Sequence, residues 1–277
     1  MGRNADRNTL VGIELVRRLS DEGDRLFTTA RARELAPEVG ISHGYLVEAL
    51  HHLAKAGWIV RLRRGLYAIS SSREGTVPAH EFEIAMALVR PAAISYWSAL
   101  HHHGLTDQTP HTVFVLTTTE ASPPRVRGKA RRSSPGYPVG RVVYRFIQVR
   151  PERFFGVQDV WVGEARVSVT DPERTLLDGL SAPGYCGDFA EVLHAFEVRG
   201  HGIDVEKAAS YALRLDAAVA KRLGWVLESL GIGGEGIARL SDLPVTGYSK
   251  LDPTGPDTGP RNRRWMIREN LPGRAAK

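Results

Sequence analysis

SHGYLVEALHHLAKAGWIVRLRRGLYAI, residues 42–69, changes its hydrophobic period part-way along, and that change decides the fold. Leu46, Leu50 and Leu53 recur at i, i+4 and i+7, one face of a helix that the sequence predicts to start at Ser42, a capping residue, and to stop at Gly57. The period then drops to two. Trp58, Val60 and Leu62 alternate with Ile59, Arg61 and Arg63, and Arg64-Gly65 turns the chain into Leu66-Tyr67-Ala68-Ile69. A helix followed by a hairpin with a basic tip is the result.

The residues before this stretch predict two more helices. Residues 9–19 place Leu15, Val16 and Leu19 on one side and Arg17 and Arg18 on the other. Thr28 then caps a short helix over residues 29–35, which Pro37 and Gly40 terminate. Helix, helix, turn, helix, hairpin is the order of a winged helix-turn-helix. In such a module the third helix enters the major groove, about 12 Å wide, and the hairpin lies against the duplex backbone.

The surface opposite the leucines carries Gly44, Tyr45, Glu48, His51, His52 and Lys55, with Ser42 and His43 at the helix start, where bases or phosphates are met. Gly44 lets a backbone approach closely, and Arg61, Arg63 and Arg64 of the wing suit phosphates or the minor groove. Together with Thr28 these are the candidate DNA-binding residues. A solvated helix face, a solvated His51-His52 pair and an ordinary exposed turn at Arg63-Arg64 are the plain alternatives. Glu48 is unfavourable near phosphate unless it accepts from a cytosine amine.

The whole chain has 277 residues, with 37 Lys+Arg against 31 Asp+Glu and a formal charge of +6, so two domains and a polyanion partner are expected. The charge is clustered: residues 121–150 hold eight basic side chains and no acidic one. One cysteine, Cys186, excludes an intramolecular disulfide. The polar start of the chain is unlike a signal sequence, and no apolar run of about 18 residues occurs, which predicts a soluble, cytoplasmic protein without a membrane partner.

The expected organisation is a winged helix-turn-helix over residues 1–72, a linker at 73–80 that follows a run of serines, and a larger α+β domain over 81–277. Helices are expected around Phe82 to Val89 and over 93–103, strands over 112–117, 141–149 and 167–169, and helices over 189–199, 204–213 and 217–230. Asp171 reads as the N-cap of a further helix, Pro172 as its first residue and Glu173 as a first-turn acid, which makes that motif structural. Residues 121–140 read as a basic loop whose Arg125, Arg127, Lys129, Arg131 and Arg132 are either solvated or a second phosphate-binding surface. The tail 251–277 reads as irregular and basic.

Little in the sequence points to catalysis. His101-His102-His103 are consecutive on a helix and point in different directions, so they do not converge on a metal ion. Asp159, Glu164 and Arg166 are a loose echo of a nuclease core, with Arg where Lys is usual. Residues 231–236, GIGGEG, lack the Lys-Ser/Thr of a phosphate loop and read as a flexible turn, and Cys186 has no nucleophile context. No enzyme activity, metal or cofactor is expected.

The run from Ala49 to Tyr67, ALHHLAKAGWIVRLRRGLY, the run from Ile94 to Thr106, ISYWSALHHHGLT, and the run from Val169 to Asp178, VTDPERTLLD, resemble in this order the AbiEi family of antitoxins. Pro183-Gly184-Tyr185-Cys186-Gly187, Arg222-Leu223-Gly224-Trp225 and Arg264-Trp265 extend the likeness over nearly the whole chain. The resemblance implies a type IV-like antitoxin encoded beside a nucleotidyltransferase toxin. Its winged helix would bind repeats in the operon's own double-stranded promoter DNA and repress it. The second domain would counteract the toxin, without a stable complex in many members. A nucleic-acid-processing enzyme with a nuclease-like second domain, and a ligand-sensing transcription factor, are the alternative readings.

Overall fold

Alternating leucines and polar residues build the first elements around one small core. The computed structural model describes residues 2–70, 77–120 and 136–271, with residues 2–9 described as helical backbone alone. Helix α1 (Gly2–Asp21) buries Leu15, Val16 and Leu19, as their spacing predicts. Strand β1 (Leu26–Thr28) leads into α2 (Thr29–Leu35), where the Thr28 hydroxyl accepts from the Arg31 N–H at 3.1 Å as an N-cap. Helix α3 (Leu46–Lys55) follows, then the hairpin β2 (Ile59–Arg63) and β3 (Leu66–Ile69). Leu46, Leu50 and Leu53 meet Leu15, Leu19, Phe27 and Ile59 in a closed core. Each of these leucines contributes about 1.5–3 kcal/mol by leaving water.

Two local outcomes differ from the sequence reading. Helix α3 begins at Leu46, not Ser42, because the Ser42 carbonyl accepts from both Tyr45 N (3.0 Å) and Leu46 N (3.1 Å), closing a turn in place of a side-chain cap. Gly44, a poor helix former, lies in that turn. The hairpin is not two strands alone: β1, around Phe27, pairs antiparallel with β3, so the wing is a three-stranded sheet in the order β1, β3, β2.

Beyond the wing come α4 (Glu81–Leu88), β4 (Ala92–Ile94), α5 (Tyr96–His102), β5 (Thr112–Thr117), β6 (Tyr137–Val139), β7 (Val142–Gln148), β8 (Val157–Val162) and β9 (Ala165–Thr170). Helices α6 (Pro172–Ser181), α7 (Phe189–Arg199), α8 (Val205–Leu215), α9 (Ala217–Ser229) and α10 (Glu235–Asp242) follow, with the short strands β10 (Ser249–Lys250), β11 (Arg261–Asn262) and β12 (Ile267–Arg268). The fold class is mixed α+β. A six-stranded sheet runs in the order β6, β7, β5, β4, β9, β8, with β4 antiparallel to β5 and parallel to β9.

The chain forms two compact units. The first takes residues 1–90, 120–144 and 161–166, and the second takes 91–119, 145–160 and 167–277. Residues 71–76, in and before the expected linker, and the basic side chains Arg125, Arg127, Lys129, Arg131 and Arg132 lie outside the described residues. Residues 137–139 of the expected basic loop are strand β6, whose Tyr137 pairs with Tyr144 of β7. In the first unit Tyr137 also donates its hydroxyl hydrogen to the Leu62 carbonyl of the wing at 2.6 Å.

Helix α6 organises the second unit. Asp171 caps it by accepting from Arg174 N at 2.9 Å, and Pro172 is its first residue, as the sequence predicts. Arg174 is buried. It donates through Nε to Asp178 at 2.9 Å and through Nη1 to the carbonyls of Arg153 and Phe155. The expected helix over 93–103 is shorter, since Ala92–Ile94 is a strand and Tyr96, at φ 51°, makes the corner into α5. The tail is not irregular throughout. Trp265 is wholly buried, donates to Glu228, and fills the space above Gly224, where any Cβ would collide with its ring.

Candidate nucleic-acid interface

The leucine face of α3 is committed to the core, so its other face is what the first unit offers outward. Glu48, His51, His52 and Lys55 are exposed on it, and Ser42, His43 and Gly44 are exposed in the turn before it. Tyr45 is half-buried and packs against the core. Glu48 and His52 lie 3.5 Å apart, so part of the acid's charge is matched on the helix itself whenever His52 is protonated. The rings of His51 and His52 meet edge-on at 6.0 Å.

The wing is held from behind, with its basic side chains exposed. Gly65, at φ 76°, makes the two-residue turn, and its carbonyl accepts from Thr29 N at 2.9 Å, tying the tip to the start of α2. The β2–β3 register shifts between Arg61 and Arg63, which leaves Leu62 buried and Arg61, Arg63 and Arg64 all exposed. Thr28 is exposed too, its hydroxyl engaged as the α2 cap.

Pairing of charge separates this surface from α1 and the β1 entry. Arg17, Arg18, Arg25 and Arg31 each sit within ion-pair distance of one or more carboxylates, and Arg31 alone meets Glu22, Asp24 and Glu34. Lys55, Arg61, Arg63 and Arg64 have no ion-pair partner among the described residues. Arg17, Arg18 and Arg31 of the first two helices are thus matched within the fold, whereas the cations of α3 and the wing are not.

Two residues on this surface escaped the sequence reading. Arg33 is exposed on α2, without an ion-pair partner among the described residues, where the first helix of such a motif crosses the duplex backbone. Val47 is 66% exposed on α3. Its position two residues before Ala49 in the helical pattern was the signal; an apolar type on a polar face hid it.

Elsewhere the structure disperses the other candidate groups. His103 donates through Nε2 to the Thr170 carbonyl at 2.7 Å and burial lowers its pKa, while His101 is exposed. Asp159 accepts from Ser168 at 2.7 Å, and Glu164 pairs with Arg25 at 3.2 Å. Burial raises the pKa of the Cys186 thiol well above its usual value. Among the described residues no group of three or more His, Cys, Asp or Glu side chains is placed to hold a metal ion, and no helix is long and apolar enough to cross a membrane.

Residues 14–70, which comprise the last eight residues of α1, the helix-turn-helix and the wing, match the family described as "Transcriptional regulator, AbiEi antitoxin". Over this segment the chain is similar to the AbiEi family. That likeness and the winged-helix architecture fall on the same residues, and the family matched is one of regulators. The whole fold is similar to the crystal structure of the RV2827C protein from Mycobacterium tuberculosis, with a TM-score of 0.66 over 93% of this chain and 90% of that one. At 15% identity that likeness speaks for the fold alone. No curated protein matches the chain.

Proposed function

We propose that the protein is a cytoplasmic DNA-binding antitoxin that represses its own toxin–antitoxin operon and counteracts a nucleotidyltransferase toxin encoded beside it. The observation that carries the DNA-binding half is the set of exposed, unpaired cations Lys55, Arg61, Arg63 and Arg64 bordering an α3 face that the fold does not use. Helix α3 lies in the major groove, with Ser42, His43, Gly44, Tyr45, Glu48, His51 and His52 toward base edges and nearby phosphates. The wing arginines and Thr28 lie along the backbone. One such module reads only a few base pairs, so two copies act on a repeated operator. The antitoxin half rests on the likeness of residues 14–70 to the AbiEi family.

Binding of the full chain to the DNA upstream of its own gene, followed by fluorescence anisotropy across a salt series, tests the first half. Arg63→Ala or Arg64→Ala should weaken binding similarly on all sequences and flatten the slope of log K against log salt by about 0.9 per lost phosphate contact. His43→Ala should instead change preference among sequences. Equal affinity for upstream and random DNA, together with Mg²⁺-dependent cleavage, would overturn the repressor. For the second half, co-expression with the adjacent toxin should restore growth; an Arg61/Arg63/Arg64 triple alanine variant should lose promoter binding yet still protect. Loss of both together would sink the division of labour.

A further inference from the structure

Six large hydrophobic side chains stay exposed among the described residues: Leu10, Val47, Val143, Trp161, Val198 and Leu213. Of these, Val47 alone stands on the α3 face assigned above to DNA. It is the second residue of α3, one turn after His43 and Gly44 and one turn before His51. N-terminal residues of a recognition helix are the ones that meet base edges.

Gly44 completes the feature. Its φ is not in the left-handed region, and a Cβ built there would have nothing within 4 Å, so the fold has no need of a glycine at this position. Gly44 and Val47 lie three residues apart on one side of the chain, the first without a side chain and the second with two methyl groups. They form a low apolar spot on a face otherwise made of Ser, His, Glu and Lys. The major groove has one apolar feature of matching size, the C5-methyl group of thymine. The unpaired cations Lys55, at the far end of the same helix, and Arg61, Arg63 and Arg64 of the wing favour a polyanion as the occupant over an apolar protein surface.

We infer that Val47 is a specificity-determining residue that packs on the C5-methyl of a thymine in each bound half-site, with Gly44 as the gap through which that base edge is reached. This rests on the DNA-binding reading above and adds to it the kind of base that α3 selects. Nothing in it depends on repression or on the toxin.

The test replaces each thymine of an upstream duplex in turn by deoxyuridine, which removes only the methyl group, and measures binding of the full-length protein. One thymine per half-site should cost the parent protein roughly four-fold in affinity, the worth of one buried methyl. Val47→Ala should lose a similar factor on the thymine duplex, become indifferent to deoxyuridine at that position, and keep the parent's salt slope. Val47→Thr, which retains one methyl and the branched shape, should fall between. A Val47→Ala variant equally sensitive to deoxyuridine at every position, or with parental affinity throughout, would overturn the assignment while leaving DNA binding intact. Absence of any preference of the parent for upstream over random DNA would overturn both readings.

Discussion

Glu173 shows how a single residue of the second unit ties stability to pH. Its carboxylate is held almost out of water by Lys207 at 3.1 Å, Arg199 at 3.3 Å and the N–H of Asp204 at 3.4 Å. Burial opposes its charge, but the hydrogen bonds from Lys207 and Asp204 outweigh burial and hold the carboxyl below its ordinary 4.5. The unfolded chain therefore takes up this proton first as pH falls, and protonation favours unfolding. The stabilisation is complete above about pH 4.5 and is lost as pH falls through the depressed value. Glu173→Gln should cost roughly 1–3 kcal/mol in urea unfolding at pH 7, and the gap from the parent should narrow at pH 3. A gap that stayed constant would show that two acceptor oxygens, not their charge, are what the position supplies. Asp178 runs the other way: burial raises its pKa against the pull of Arg174, so its ionisation costs stability as pH rises. Comparing variant and parent at each pH cancels that contribution.

At the scale of elements, Gly44 separates what the fold of the α3 entry needs from what a ligand needs. A glycine with an ordinary φ and open space around it lowers stability by enlarging the unfolded ensemble. Gly44→Ala should raise stability by about 0.4–1 kcal/mol in thermal unfolding and at the same time weaken DNA binding. Unchanged affinity would mean that no duplex approaches the backbone there. The elements that were legible in the sequence are those with a clear period or cap: α2 behind Thr28, the β2–β3 hairpin around Arg64-Gly65, α6 behind Asp171-Pro172, and α7. Those that were not are short or buried on both sides. Ala92-Ala93-Ile94 is wholly buried, so no alternation marks it, and two alanines read locally as helix until pairing with β5 and β9 decides for strand. Strand β1 is three residues long and exists because Phe27 pairs with Tyr67, a partner forty residues away in sequence. The polar part of the candidate site was legible from helical geometry, whereas Val47 was not, because an apolar residue near a leucine stripe reads as core.

At the scale of the whole molecule, the helix-turn-helix module is not built from one end of the chain. Its wing is reached by Tyr137, 4% exposed, whose hydroxyl hydrogen goes to the Leu62 carbonyl, and Arg25, just before β1, pairs with Glu83 and with Glu164. All of these partners lie in the first unit, yet two of them come from segments far downstream. Composition cannot reveal such returns, since a run of serines after Ile69 marks a place where the chain is polar, not where the unit is complete. A fragment ending at residue 72 lacks α4, β6, Tyr137 and both acidic partners of Arg25. It should unfold at lower urea than the module within the full chain and bind upstream DNA more weakly, with the wing arginines contributing less to its salt slope. Tyr137→Phe in the full chain isolates the wing contact: it removes one hydrogen bond from a buried carbonyl, about 1–3 kcal/mol, without removing the ring. If the fragment matched the full chain in stability and affinity, and Tyr137→Phe changed neither, the downstream segments would be passengers on a self-sufficient module. If both fell, the wing would be completed by those downstream segments of the first unit, and the boundary of the module would lie well beyond residue 72.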